Sequence, residues 1–117
     1  MKIANPEIFR LHAEFCKVLA NPKRLMIIAL LSKREMSVGE VAQACDVPLT
    51  TISQHLRVLR ERFVVNTRKE GQTVYCQLAD ERLMDACVRI RTVLLDNMRR
   101  RGTLAREIDP EGVSDGD

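Results

Sequence analysis

Between Pro48 and Arg62 the chain sets Thr50, Thr51, Ser53, Gln54 and Arg57 opposite Ile52, Leu56 and Leu59. The apolar three recur at the spacing of one buried helical face. The other face then carries compact hydroxyl and amide groups toward its N-terminal end, followed by an arginine. A helix that enters a major groove by its N-terminal end needs this arrangement: short donors and acceptors for base edges, and a long cation for guanine or phosphate. Downstream, Arg57, Arg60, Arg62, Arg68 and Lys69 face only Glu61 and Glu70. Such a basic run neutralises phosphates and makes affinity fall with salt. A polar helix face by itself is the ordinary solvated side of an amphipathic helix. Its flanking elements are what favour double-stranded DNA as the partner.

The other reactive groups are thiols. Cys16, Cys45, Cys76 and Cys87 lie far apart with no CxxC pair. The N-terminus, Met1 to Pro6, lacks the apolar stretch of a secretory signal, so a cytoplasmic protein with reduced thiols is expected. Core packing is the first expectation for each thiol, because a free cysteine behaves as a small hydrophobe. Paired carboxylates, a Ser/His/Asp set and a glycine-rich phosphate loop do not occur at usable spacing, so no enzyme and no cofactor is expected.

These groups must be held by a small scaffold. The 117 residues are 45% hydrophobic and 30% charged, enough for one globular core. The longest uncharged apolar run, Leu25 to Leu31, is too short to span a bilayer, so no membrane partner is expected. One Tyr, three Phe and no Trp argue against binding single strands by base stacking. The net charge of +3 hides an asymmetry. Residues 1–101 hold 18 Lys/Arg against 11 Asp/Glu, whereas residues 102–117 hold one Arg against five acids. The first part reads as the folded domain and the second as an acidic, disordered tail. The Arg99-Arg100-Arg101 run before it reads as a solvated helix end, or as backbone-contacting surface for which the acids compete.

Ile8, Leu11, Phe15 and Leu19 predict an amphipathic helix from Pro6. Asn21-Pro22 caps a second helix running to about Leu31. Ser37-Val38-Gly39-Glu40 is a capping-box pattern that opens a short third helix through Ala44. Asp46-Val47-Pro48 breaks it before the helix 48–62. Segments 64–68 and 73–78 are β-rich around Lys69-Glu70-Gly71-Gln72, which predicts a hairpin. A last helix from Asp80 to about Arg101 carries Leu83, Cys87, Ile90 and Leu94 as one stripe. The fold class is therefore mainly α with a small β-hairpin, a helix-turn-helix with a wing in the order α-α-α-α-β-β-α. A domain this small, with apolar first and last helices, gains burial by pairing as a homodimer.

Three stretches resemble the ArsR/SmtB family of winged-helix repressors. Val18-Leu19-Ala20-Asn21-Pro22-Lys23-Arg24-Leu25 is similar to its N-terminal signature. Ser37 to Ala42 followed by Thr51 to Arg60 is similar to its helix-turn-helix core, and Arg68 to Tyr75 to its wing. The resemblance covers about residues 9–98. It implies a homodimer built on the first and last helices and bound to an imperfect inverted repeat at a promoter. Thr50, Thr51, Ser53, Gln54, His55 and Arg57 would be its recognition-helix contacts, and Arg68 and Lys69 its wing contacts. Where the family places glycine after the recognition helix, this chain has Phe63, at a position that wants positive φ.

Many members of that family sense metals, but the matching positions here are unsuitable. The arsenic-type cysteine run corresponds to Ser37-Val38-Gly39-Glu40-Val41, and the zinc-type site to Asp80, Arg82, Val93 and Asp96. Arginine and valine do not ligate zinc, so no standard metal site is expected. Control of DNA release would then fall to a thiol or another non-standard signal, with Cys16, Cys87 and Cys45 as candidates. Cys16 and Cys87 lie on the two helices expected at the dimer interface, where a disulfide would alter the dimer. The alternatives are a winged-helix protein-interaction module and a metal sensor with a non-standard cysteine site.

Overall fold

A computed structural model of the chain describes residues 1–104 and 106–114. The elements are α1 (Pro6–Leu19), α2 (Pro22–Leu31), β1 (Met36–Ser37), α3 (Val38–Cys45), α4 (Leu49–Glu61), β2 (Val65–Glu70), β3 (Thr73–Leu78) and α5 (Arg82–Arg100). The winged helix-turn-helix expected from the sequence is present, with one strand more than the hairpin. β1 joins β3 through Met36 opposite Cys76 and Ser37 opposite Tyr75, giving the antiparallel order β1-β3-β2. Two residues are too short to show alternation, which is why the strand left no periodic trace in the sequence.

The caps form as the residue types dictate. Asn21 Oδ1 accepts from the backbone N–H of Lys23 at 2.9 Å and of Arg24 at 3.2 Å, with Pro22 at the first helical position. At α3, Ser37 Oγ accepts from Glu40 N (3.1 Å) while Glu40 Oε1 accepts from Ser37 N (3.0 Å). The helix-turn-helix corner then closes on Asp46, whose φ of 54° is left-handed. Asp46 N donates to Gln43 O and Val47 N to Ala42 O, the paired bonds of a Schellman turn.

α4 ends the same way, with Phe63 where glycine is usual. Phe63 N donates to Arg60 O and Val64 N to Leu59 O, and Phe63 takes φ 61°. The helix therefore ends in the family's geometry and the strain is borne, because Val64 and Leu59 are both buried behind the turn. Phe63 itself is 84% exposed and gains little burial in return. Phe63→Gly should thus stabilise the fold. Relief of ~1–2 kcal/mol of left-handed strain exceeds the added flexibility of the unfolded glycine, ~0.5–1 kcal/mol. Urea denaturation should show a higher midpoint at unchanged slope; a lower midpoint would mean that the ring packs on a partner.

The core lies between α2, α3, α4 and the sheet, where Ile27, Ile28, Val41, Ile52, Leu59, Val65 and Cys76 are almost fully enclosed. α1 and α5 stand off from it. α1 buries only Val18 and leaves Ile8, Leu11 and Phe15 exposed, so the predicted stripe is an outer face. The single α5 stripe splits in two: Met84, Cys87 and Leu95 turn inward, while Ile90, Val93 and Leu94 turn out. The resulting radius of gyration is 16.3 Å, with extents of 55 × 41 × 21 Å. A compact chain of this length would have a radius near ~13 Å.

The acidic tail also differs from its expectation over the residues described. Asp109-Pro110-Glu111-Gly112 forms a tight turn, with Gly112 N bonded to Asp109 O and Gly112 at φ 75°. Asp, Pro and Gly fall at the turn positions each favours. The segment folds back on the turn after α2 through Lys33–Glu111 (2.9 Å) and on α5 through Arg99–Glu107 (3.3 Å), and Val113 packs against the core. Glu111 and Glu107 thus meet the basic side chains of Lys33 and Arg99. Residues 115–117, also placed in the tail, lie outside the described residues.

Candidate nucleic-acid interface

α4 is amphipathic along its whole length, and packing Ile52, Leu56 and Leu59 inward fixes which residues face out. Thr50, Ser53, Gln54 and Arg57 are exposed, and Thr51 is half-buried. Leu49, overlooked in the sequence because it adds nothing to the polar face, is 56% exposed at the start of the helix. Arg57 is held along the helix by Glu61, Nε to Oε1 at 3.3 Å. An exposed pair four residues apart is worth only a few tenths of a kcal/mol, about 0.3–0.5. A phosphate can therefore displace it.

His55 is placed differently from the residues around it. It turns half-buried toward α2, where Arg24 Nε donates to His55 Nδ1 at 3.2 Å. Arg24 also donates through Nη1 to Val18 O in α1 at 3.0 Å. Burial, and then the Arg24 charge, push the imidazole pKa below its usual 6.5. His55 thus braces α4 against α2 and differs from the solvent-facing side chains around it.

The wing is a two-residue hairpin. Glu70 pairs with Thr73 across Gly71-Gln72, and Gly71 has φ 62°. This turn is two residues shorter than the four-residue segment read from the sequence, because Lys69 and Glu70 continue the ladder. Arg68 is occupied: Nε and Nη2 bond Glu35 at 3.1 and 2.7 Å, and Nη1 bonds Glu70 at 2.7 Å. Its guanidinium also lies 4.5 Å from the centre of the Tyr75 ring. The Glu35 carboxyl is lowered in pKa mainly by this bond. Arg68 therefore ties the wing to the segment before β1. The side chains of Lys69 on the next position and of Arg60 and Arg62 at the end of α4 make no hydrogen bond or ion pair among the described residues. Between α4 and the wing runs a groove with Ser53, Arg57 and Arg60 on one wall and Thr67 and Val74 on the other.

The thiols separate into two groups. Cys45, Cys76 and Cys87 are buried, as core packing predicts, but Cys16 is exposed on α1 because that helix docks only at its end. Burial raises the pKa of all three enclosed thiols, that of Cys76 to about 11. Thiolates are the reactive form. Native-state alkylation at neutral pH should accordingly spare Cys45 and Cys76, both labelling promptly once urea unfolds the chain. Fast labelling of Cys45 in the folded protein, read by mass spectrometry, would restore it as a sensor candidate. Among the described residues no group of three or more His, Cys, Asp or Glu side chains could hold a metal ion. Among the described residues no helix is long and apolar enough to cross a membrane.

A helix-turn-helix domain family matches residues 19–68. The chain is 39% identical over 84 residues to the nodulation protein NolR of Rhizobium meliloti, covering 72% of this chain and 66% of NolR. It spans about half to two thirds of the length of the curated relatives it first matches. The crystal structure of Rv0081 of Mycobacterium tuberculosis superposes with a TM-score of 0.74 at 33% identity, covering 82% of this chain and 97% of that one. The solution structure of Mb0332 from Mycobacterium bovis has a TM-score of 0.64 at 25% identity, with coverage of 92% and 97%. Mb0332 is described as a homodimeric winged helix-turn-helix DNA-binding domain and a possible ArsR-family regulator. With its capped corner, exposed polar face of α4 and two-residue wing, this chain belongs to the ArsR/SmtB family of winged helix-turn-helix transcriptional regulators.

Proposed function

We propose that the protein is a cytoplasmic repressor that binds an imperfect inverted repeat of double-stranded DNA as a homodimer. The observation that carries this reading is the outer face of α4. It offers Thr50, Ser53, Gln54 and Arg57 to solvent at the N-terminal half of the helix, beside an unengaged Lys69 on the wing. Leu49 adds an apolar group suited to a thymine methyl. Arg60 and Arg62 serve phosphates, and Arg68 contributes by holding the wing. The unfilled faces of α1 and α5 pair about a two-fold axis. That sets two reading helices about one DNA turn, ~34 Å, apart.

A protein-interaction module would present several apolar anchors on this face, and Leu49 is alone among polar neighbours. Gel shifts with DNA from upstream of the protein's own gene, at two salt concentrations, decide between them. A retarded band that resists competitor DNA and weakens steeply with salt is expected. No shift at low salt would favour the protein partner.

A second reading, release of DNA by thiol oxidation, is favoured at one pair only. Cys16 is exposed on α1 and Cys87 sits on α5, the two helices whose unfilled faces would pair in the dimer. Diamide, taking two electrons and two protons from the pair, would join the sulfurs. Unchanged DNA affinity after diamide, with Cys87→Ser matching the parent, would dispose of it.

A further inference from the structure

The folded-back tail roofs a cleft that the reading helix does not use. Its floor is α2, through Leu25, Met26 and Ala29, and its wall is α5, through Leu94 and Leu95. The strap from Ile108 to Val113 closes it from above, leaving about 300 Å³. An apolar cavity of ~150 Å³ accommodates benzene, so this one suits an aromatic ring with a short chain. Met26 is about half-exposed, so the cleft opens to solvent on its α2 side.

One charge reaches into this apolar space. Arg91 Nη1 donates to the carbonyls of Pro110 at 3.1 Å and Glu111 at 3.5 Å, and no carboxylate pairs with it among the described residues. The nearby acids are committed elsewhere. Glu111 binds Lys33, and Asp109 Oδ1 accepts from Glu111 N. A guanidinium satisfied only by two backbone oxygens is a ready partner for a bidentate carboxylate.

We propose that this cleft is an effector site for a compact apolar carboxylate, its body against α2 and α5 and its carboxylate on Arg91. The ligand takes Arg91 from the strap carbonyls and so loosens the Asp109–Gly112 turn. The same stretch of α2 reaches the reading helix: Arg24, beside Leu25 and Met26, holds His55 of α4 and the end of α1. A ligand that shifts α2 thus acts on the strut that orients α4. This coupling rests on the DNA-binding reading above, whereas the ligand site does not.

The test uses the full chain with 3-phenylpropionate as the probe and 3-phenylpropionamide as its uncharged counterpart. Calorimetry should give one saturable site per protomer, with the amide at least about tenfold weaker, since a charge-assisted bond is lost. Arg91→Gln should weaken the acid by a similar factor. Met26→Trp, which fills the cleft from a half-exposed position, should abolish binding while the thermal transition stays cooperative. Saturating probe should change operator affinity by about fivefold or more, the range of ordinary allosteric coupling. Absence of saturable binding would overturn the site, and is the result expected if a partner's helix occupies the cleft. Equal affinity for acid and amide, or indifference to both substitutions, would overturn it too. Binding with unchanged operator affinity would overturn the effector role. Failure of the ligand-free protein to bind DNA at all would instead remove the regulator reading, leaving calorimetry to decide the site.

Discussion

Ile90→Asp combined with Val93→Asp should yield a folded monomer that binds operator DNA at least about a hundredfold more weakly than the parent. Both residues lie on the outward half of α5, at 67% and 69% exposure in the protomer, so neither substitution opens the core. A two-fold axis through this face brings four carboxylates together in what would otherwise be apolar contact. Unpaired buried charge of that kind is not tolerated in an interface. Losing the dimer separates the two reading helices, and each half-site must then be bound alone. The advantage of linked binding, typically about 10²–10⁴, is lost with it. Light scattering gives the mass, circular dichroism the fold, and anisotropy titration the affinity. A variant that remains dimeric would place the interface elsewhere.

Gln54→Ala should weaken binding to the specific site by about ten- to hundredfold while hardly changing affinity for unrelated DNA. Gln54 is exposed on the outer face of α4, and a side-chain amide that reads adenine bidentately contributes about 1–3 kcal/mol of discrimination. Lys69→Gln is the contrast. An exposed lysine on the wing reads charge, so its loss should weaken all sequences alike and reduce the salt slope by about one per protomer. Titrations over a salt series, with specific and scrambled duplexes, separate the two effects. If Gln54→Ala lowered both affinities equally, α4 would be contacting backbone and the base-reading role would pass to its neighbours.

The outcomes at individual residues show where the sequence was legible. Asn21-Pro22 and the Ser37/Glu40 box formed as written, because their partners lie two or three residues away. Ile52, Leu56 and Leu59 were placed inward by spacing alone, which settled the exposed face of α4. The apolar pattern of α5 was visible, but not that it faces two ways, since periodicity does not distinguish a core from a partner. In the sequence, Asp109-Pro110-Glu111-Gly112 reads only as part of an acidic, disordered tail. Its turn chemistry was present, yet its anchors Arg91 and Lys33 lie on other elements.

By itself the sequence determined the order of every element but β1, the helix boundaries to within two or three residues, and which side of α4 faces outward. These depend on hydrogen bonds and contacts within a helical turn, or across one hairpin, and so are encoded in adjacent residues. The tertiary structure alone decided that Arg68 clamps the wing through Glu35, thirty-three residues away, that Arg24 braces His55, and that the tail roofs an apolar cleft. Each of these joins groups that meet only after the helices have packed. A charged or polar residue distant from its partner carries no local mark of whether it will be free for a ligand or already engaged.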